Sequence, residues 1–306
     1  MAGENSELKL ENILVAIDGS AIADYSLNLA IHIGEKYGSK IGVLYVAPTF
    51  TTVPSASMFD PMFGGAVMPP RPVESVATDA SEREKRKIEA LLNERKQLVE
   101  SHNLACETIS SNSEDVSGDI IKRSPQYDLV SVGSRGLSGL KSLILGSVSK
   151  KVAREAKSSV LVVKSRIDSI PKILLAYDGS EPAKKALLYA SELGKKFSAL
   201  VSVICVAGIP ITPEGYVSAD IDRWESEMRS FTEYAVSFLK SNGIKSDGKT
   251  IDSRDVSRTV VDEAVRGSYD LIVVGNRGYG RLKSLFLGSV ASGVADSSKT
   301  NVIIVR

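Results

Sequence analysis

Residues 12–47 read NILVAIDGSAIADYSLNLAIHIGEKYGSKIGVLYVA, and residues 172–207 read KILLAYDGSEPAKKALLYASELGKKFSALVSVICVA. The two stretches align without a gap: Ile13, Leu14, Ala16, Asp18, Gly19, Ser20, Leu27, Ala30, Gly34, Val43 and Val46 all recur 160 residues later. Further on, residues 127–163 fall on residues 269–305 at an offset of 142, with more than half of the positions identical. The chain is therefore a duplication, and its 306 residues leave room for two cores of ordinary size. The join falls near Pro171, giving domains 1–166 and 167–306.

Inside each copy, short apolar runs alternate with longer amphipathic ones. In the first, residues 12–17 predict a strand, 21–37 a helix with apolar spacing at Ala23, Leu27, Ala30, Ile31 and Gly34, and 40–46 a second strand. A charged helix over 82–102 follows, then a strand at 105–109, a helix at 118–123, a strand at 129–132, a helix at 146–156 and a last strand at 160–163. The second copy repeats the plan, with strands at 173–177, 201–206, 250–251, 271–274 and 302–305. Five strands joined by helical crossovers make an α/β fold, in which each domain is a five-stranded parallel sheet with helices on both faces. The shrinking offset assigns the longer connection to copy one. It is placed at residues 48–75, which hold more than half of the chain's 11 prolines and the pair Gly64–Gly65 and read as an irregular loop.

Composition narrows the function classes. Thirty-eight Lys and Arg balance 37 Asp and Glu, so no bulk field draws the chain to nucleic acid or an anionic membrane, and any anion it holds is held locally. Cys106 and Cys205 match no metal or redox spacing and read as buried thiols. His32 and His102 stand apart from any ligating cluster, and no metal site is assigned. The first ten residues lack signal-peptide character and no run approaches a membrane span, so the expected location is cytoplasmic.

Ligands of open parallel sheets sit beyond the carboxyl ends of the strands, where the strand order reverses. There the first strands run into Asp18-Gly19-Ser20 and Asp178-Gly179-Ser180. A carboxylate at that place accepts from a ribose hydroxyl or an adenine amino group; it is equally an ordinary turn and helix cap. The fourth strands end in Gly133-Ser134-Arg135-Gly136, nine residues and Gly146-Ser147-Val148, matched by Gly275-Asn276-Arg277-Gly278, nine residues and Gly288-Ser289-Val290. Glycines let backbone N–H groups approach phosphate oxygens, and a helix opening at Gly146 or Gly288 offers unpaired N–H groups and a dipole that favours an anion. Arg135 and Arg277 read either as phosphate partners or as solvated loop residues.

Both copies resemble the universal stress protein family in its tandem, ATP-binding form, through Gly-x2-Gly-x9-Gly-Ser after the fourth strand; the likeness covers almost the whole chain outside residues 48–75. It implies a Rossmann-like, adenine nucleotide alpha-hydrolase-like fold. It gives Asp18 and Asp178 to the adenosine moiety, and Val46 and Val206 to adenine through their backbones. Gly133, Gly136, Gly146, Ser147 and Val148 would hold ribose and phosphates in copy one, and Gly275, Gly278, Gly288, Ser289 and Val290 in copy two. Val132 and Val274 would form an apolar wall, a role that competes with plain strand core. The ligand implied is ATP, AMP or ADP, with Mg2+ reaching the site through the phosphates. The assembly implied is an intramolecular pseudo-dimer with 160–163 meeting 302–305, and a homodimer of chains beyond it. The leading expectation is a stress-response sensor or regulatory protein rather than an enzyme, since no Gly-x4-Gly-Lys loop or placed catalytic carboxylate is present. A slow ATPase or nucleotidyl-transfer enzyme and a nucleotide-free interaction module are the competing readings.

Overall fold

A computed structural model describes residues 8–48, 73–136, 145–207, 218–278 and 287–306. The loop read at 48–75 lies outside the described residues except at its ends.

The first half runs β1 (Asn12–Ile17), α1 (Ala21–Tyr37), β2 (Lys40–Pro48), α2 (Val73–Ser101), β3 (Cys106–Ser113), α3 (Val116–Arg123), β4 (Leu129–Gly133), α4 (Ser147–Glu155) and β5 (Ser159–Val163). The second runs β6 (Lys172–Ala176), α5 (Glu181–Phe197), β7 (Leu200–Ala207), α6 (Ser218–Ser241), β8 (Ser246–Asp252), α7 (Val256–Arg266), β9 (Leu271–Gly275), α8 (Ser289–Ser297) and β10 (Asn301–Val305). Three boundaries differ from the sequence expectation. α2 begins at Val73 rather than 82: Val73, Val76, Ala77 and Ala80 have helical spacing, but they follow directly on Pro69, Pro70 and Pro72, whose loop signal hides the start. β3 runs on to Ser113 and β8 starts at Ser246; both are polar edge strands whose ladders with β2 and β7, not their side chains, set their length.

Within each half all pairings are parallel, and β1 and β6 sit between neighbours reached in opposite directions along the chain. That reversal opens a crevice at the carboxyl ends of β1 and β4, and of β6 and β9. The pleat sorts the core into two layers. Ile13, Val15 and Ile17 face one layer with the apolar sides of α1 and α2, while Leu14 faces the other with Val132 and Val152, on the side of α3 and α4. α1 is fixed at both ends: the Ser20 hydroxyl accepts the Ala23 N–H, and Gly38 closes the helix at φ 69°, a left-handed cap that suits glycine.

The halves share one ten-stranded sheet, ordered β3-β2-β1-β4-β5-β10-β9-β6-β7-β8. β5 and β10 meet antiparallel, with Val162 opposite Val302, Leu161 opposite Ile303 and Val160 opposite Ile304. This is the expected meeting of 160–163 with 302–305. It buries both strands completely and leaves neither as an open edge. Around it, Asn301 Oδ1 accepts the backbone N–H of Lys164 at 2.8 Å, and Lys150 pairs with Asp296 at 3.0 Å. On the opposite face the His32 ring lies 5.1 Å from that of Phe197.

Candidate functional site

Asp18 leaves β1 and turns at once: its Oδ1 accepts the Ser20 N–H at 2.9 Å, and Gly19 takes φ 82°. The helix cap is therefore supplied by Ser20, and Asp18 keeps its second oxygen over the loop after β4. A Cβ on Gly136 would stand 2.6 Å from Asp18 Oδ2, so glycine is needed there for the carboxylate to reach across. Copy two repeats this, with Asp178 Oδ1 taking the Ser180 N–H at 3.0 Å and the Ser180 hydroxyl at 2.6 Å, and Gly278 lying under its other oxygen.

The loop after β4 is tied down by its backbone. Ser134 N–H donates to Val163 O at 2.7 Å, and Ser134 O accepts the Gly146 N–H at 2.8 Å. Asn276 N–H donates likewise to Val305 O, and Asn276 O accepts from Gly288. The Gly146 and Gly288 N–H groups are thus already engaged. The donors that face outward are the next ones, on Ser147 and Val148 and on Ser289 and Val290, in the first turns of α4 and α8.

Those helices differ from the others whose caps are described. Ser20, Asp115, Ser180 and Asp255 cap α1, α3, α5 and α7 with side-chain oxygens, whereas α4 and α8 open at Gly146 and Gly288 with no side-chain cap. The backbone does not demand glycine at Gly146: its φ of −62° and ψ of 155° suit any residue, and among the described residues a Cβ there would lie 3.4 Å or more from its neighbours. Gly288 is alike, with a somewhat tighter 3.2 Å to Arg277 Cα. Gly133 and Gly275 are glycines of a different kind, since a Cβ would strike Ile22 at 2.9 Å or the Pro182 backbone at 2.8 Å.

Each uncapped helix opens on a cavity. In copy one it measures about 210 Å³ and brings together Asp18, Val132, Gly133, Arg135, Gly136, Gly146, Ser147 and Val148. In copy two it measures about 330 Å³ and gathers Asp178, Val206, Val274, Gly275, Arg277, Gly278, Gly288, Ser289 and Val290. Val46 is the one candidate outside its cavity lining; it is buried on β2 in the layer that holds Val132. Sequence reasoning missed the floor of the cavities, formed by Val116 and Ile120 of α3 and by Val256 and Val260 of α7, and missed Tyr177 and Leu287 in copy two. The apolar stripe of α3 and α7 was the available signal. Cys205 is buried and its thiol is pushed up to about 12 by that burial; Cys106, expected to be buried, is half-exposed on the edge strand, and desolvation raises it to about 11.

Among the described residues no cluster of His, Cys, Asp or Glu forms a metal site, and no helix is long and apolar enough to cross a membrane.

Comparison with known proteins agrees with this geometry in family and fold. The sequence profile of the Universal stress protein family matches residues 9–164 and again residues 169–306. A universal stress protein of Mycolicibacterium smegmatis is 27% identical over 307 residues, covering 96% of each chain. The universal stress protein YxiE of Bacillus subtilis is 30% identical over 154 residues, which is 50% of this chain and 97% of its own. The crystal structure of a universal stress protein from Archaeoglobus fulgidus superimposes with a TM-score of 0.65 at 22% identity, over 97% of this chain and 98% of that one. Two matched domains in one chain, each with the same loop and uncapped helix, lead to one assignment: the protein belongs to the universal stress protein family and carries that family's domain twice.

Proposed function

We propose that each half binds an adenine nucleotide, ATP or AMP, and that the protein acts as a nucleotide-responsive regulator in a stress response. The observation that carries this reading is the pair of helices that open without a side-chain cap on a cavity, at a glycine the protein's own packing does not require. An anion supplies the missing cap, and the absent Cβ leaves room for it to come close. The phosphates sit at Ser147 and Val148, or Ser289 and Val290, and carry any Mg2+ with them. Asp18 or Asp178 accepts from the ribose, and the base lies against Val132 or Val274, toward the backbones of Val46 or Val206.

Binding without efficient hydrolysis fits these sites better than catalysis. Among the described residues, Asp18 and Asp178 are the only carboxylates lining the cavities, and each is committed through Oδ1 to its own turn. Hydrolysis needs a base or water-orienting group near the γ-phosphate.

Calorimetric titration with ATP tests the reading. Two ATP per chain are expected, Gly146→Val and Gly288→Val should each remove one, and the double variant should bind almost none. Loss of charge-assisted hydrogen bonds to phosphate should weaken the altered site by about 100-fold or more. Full-strength binding by the folded double variant, or no binding by the unsubstituted protein up to millimolar ATP, would overturn it.

A further inference from the structure

We infer that each phosphate-gripping helix is held in place by a cation from the other half: Lys164 positions α8 for the site in copy two, and Arg306 positions α4 for the site in copy one. The inference rests on the nucleotide reading above and adds to it that neither site is complete within its own domain.

Helices α4 and α8 are nine residues each, about 13 Å long. Their amino ends face the cavities. At the opposite ends, the carbonyls of Ala153 and Ala295 fall in the last turn, where no residue of the helix remains to donate to them. Both are taken from across the β5–β10 junction. Lys164 Nζ donates to Ala295 O at 2.6 Å, and Arg306 Nη2 donates to Ala153 O at 2.5 Å. Lys164 and Arg306 occupy corresponding places, one residue beyond β5 and β10, and their acceptors correspond too, so the device is duplicated and crossed.

The two cations are also anchored to the loops of their own halves. Val163 O holds the Ser134 N–H, and the next residue, Lys164, gives its N–H to Asn301 across the junction. Val305 O holds the Asn276 N–H, and Arg306 N–H reaches Ser159 Oγ at 3.3 Å. Each cation thus follows a strand end tied to the loop of its own half, while its backbone N–H and its side chain both reach into the other half. A cation at the carboxyl end and a phosphate at the amino end favour the same helix dipole. Val152 and Ala153, or Val294 and Ala295, seat each helix in the core, and the cation fixes its last turn. Lys164 is 9% exposed, so the carbonyl it covers has no water to turn to when the amine is removed.

The expected signature is crossed. In the Gly146→Val background, where only copy two binds, Lys164→Met should weaken ATP by about three- to tenfold, while Arg306→Met leaves its affinity within about twofold. In the Gly288→Val background the roles should exchange. Lys164 also lies near Arg135, so its removal eases a like-charge repulsion and should leave copy one no weaker. Lys164→Arg should restore most of the affinity; if Lys164→Met does not fold, Lys164→Gln, which keeps a donor but no charge, takes its place. A loss of equal size at both sites marks general loosening and overturns the inference, as does a loss confined to the cation's own half. Absence of ATP binding in the single-site parents overturns the nucleotide reading itself, whereas binding that is indifferent to Lys164 and Arg306 overturns only this one.

Discussion

The two halves keep the same polar cradle and have diverged in the apolar wall behind it. Asp18 and Asp178, the glycine pairs after β4 and β9, and the uncapped starts of α4 and α8 coincide in role and in hydrogen bonding. The walls do not: Ile17 of copy one is replaced by Tyr177, which is buried and meets Phe231 edge-on at 6.4 Å, and Phe231 lies against Gly179 where copy one has only Leu91, at longer range, against Gly19. Copy one carries its aromatic ring on the neighbouring strand instead, as Tyr45, where copy two has Cys205. The cavity of copy two is larger, about 330 against 210 Å³. A phosphate grip built from backbone N–H groups tolerates little change, while a base lying on an apolar surface tolerates a good deal. If both halves bind a nucleotide as proposed, the difference is expected in base fit and affinity and not in the number of sites.

The largest effect expected from testing this comparison is on stability, and it separates the two kinds of glycine. Gly275→Ala places a methyl group against the Pro182 backbone and should cost about 2–4 kcal/mol, whereas Gly146→Ala should stay within about 1 kcal/mol; thermal or urea unfolding reads both. If Gly146→Ala proves as costly as Gly275→Ala, the glycine opening α4 is structural and its link to a ligand is lost.

A smaller effect concerns the walls. Copy two should bind ATP more tightly than copy one when each is isolated by silencing the other, and Tyr177→Ile should narrow the gap by about three- to tenfold through loss of aromatic contact. Equal affinities in the two single-site proteins would show that the diverged wall does not touch the base.

The smallest effect is a pH dependence that only one half shows. Burial, partly offset by Asp296 and reinforced by Arg135, lowers the Lys164 amine to about 8, below the ordinary lysine value it regains on unfolding. Between about pH 8 and 10 the unfolded chain then binds more protons than the folded one, so this group makes stability rise with pH in that window. The gain, on the order of 1 kcal/mol, should be present in the unsubstituted protein and absent from Lys164→Met when their unfolding curves are compared at pH 7.5 and 9.5. Burial, reinforced by Arg277, lowers its counterpart Arg306 to about 10, so any rise in stability with pH from that group falls mainly above this window. A Lys164→Met difference that does not change with pH would show that the amine is not desolvated.

Most of the cradle was legible because its chemistry is local. Asp18-Gly19-Ser20 and Gly133 to Gly136 are contiguous, and duplication printed each twice, so their gathering around one cavity per half could be read from spacing alone. The floor and the clasp were not legible. Val116, Ile120, Val256 and Val260 look like any apolar stripe until the strand order shows which side of the sheet their helices cover. Lys164 and Arg306 read as cations just past a strand, because their acceptors lie 131 and 153 residues away. The length of α2 escaped for another reason: Val73, Val76, Ala77 and Ala80 have helical spacing, but the prolines just before them mark a loop, and the loop signal was the stronger.

The antiparallel pairing of β5 with β10 also fixes an order of events during synthesis. β5 leaves the ribosome with the first half, but the strand that covers its free side is the last of the ten to be made. At roughly 5–20 residues per second, the first domain stands for about 7–28 s with Val160, Leu161 and Val162 along an unpaired edge. A released chain ending after residue 166 should consequently associate through that edge, which sedimentation would detect, and the same chain carrying Leu161→Lys should not. Fusing the two copies turns the search for a second molecule into a wait for the rest of the same one.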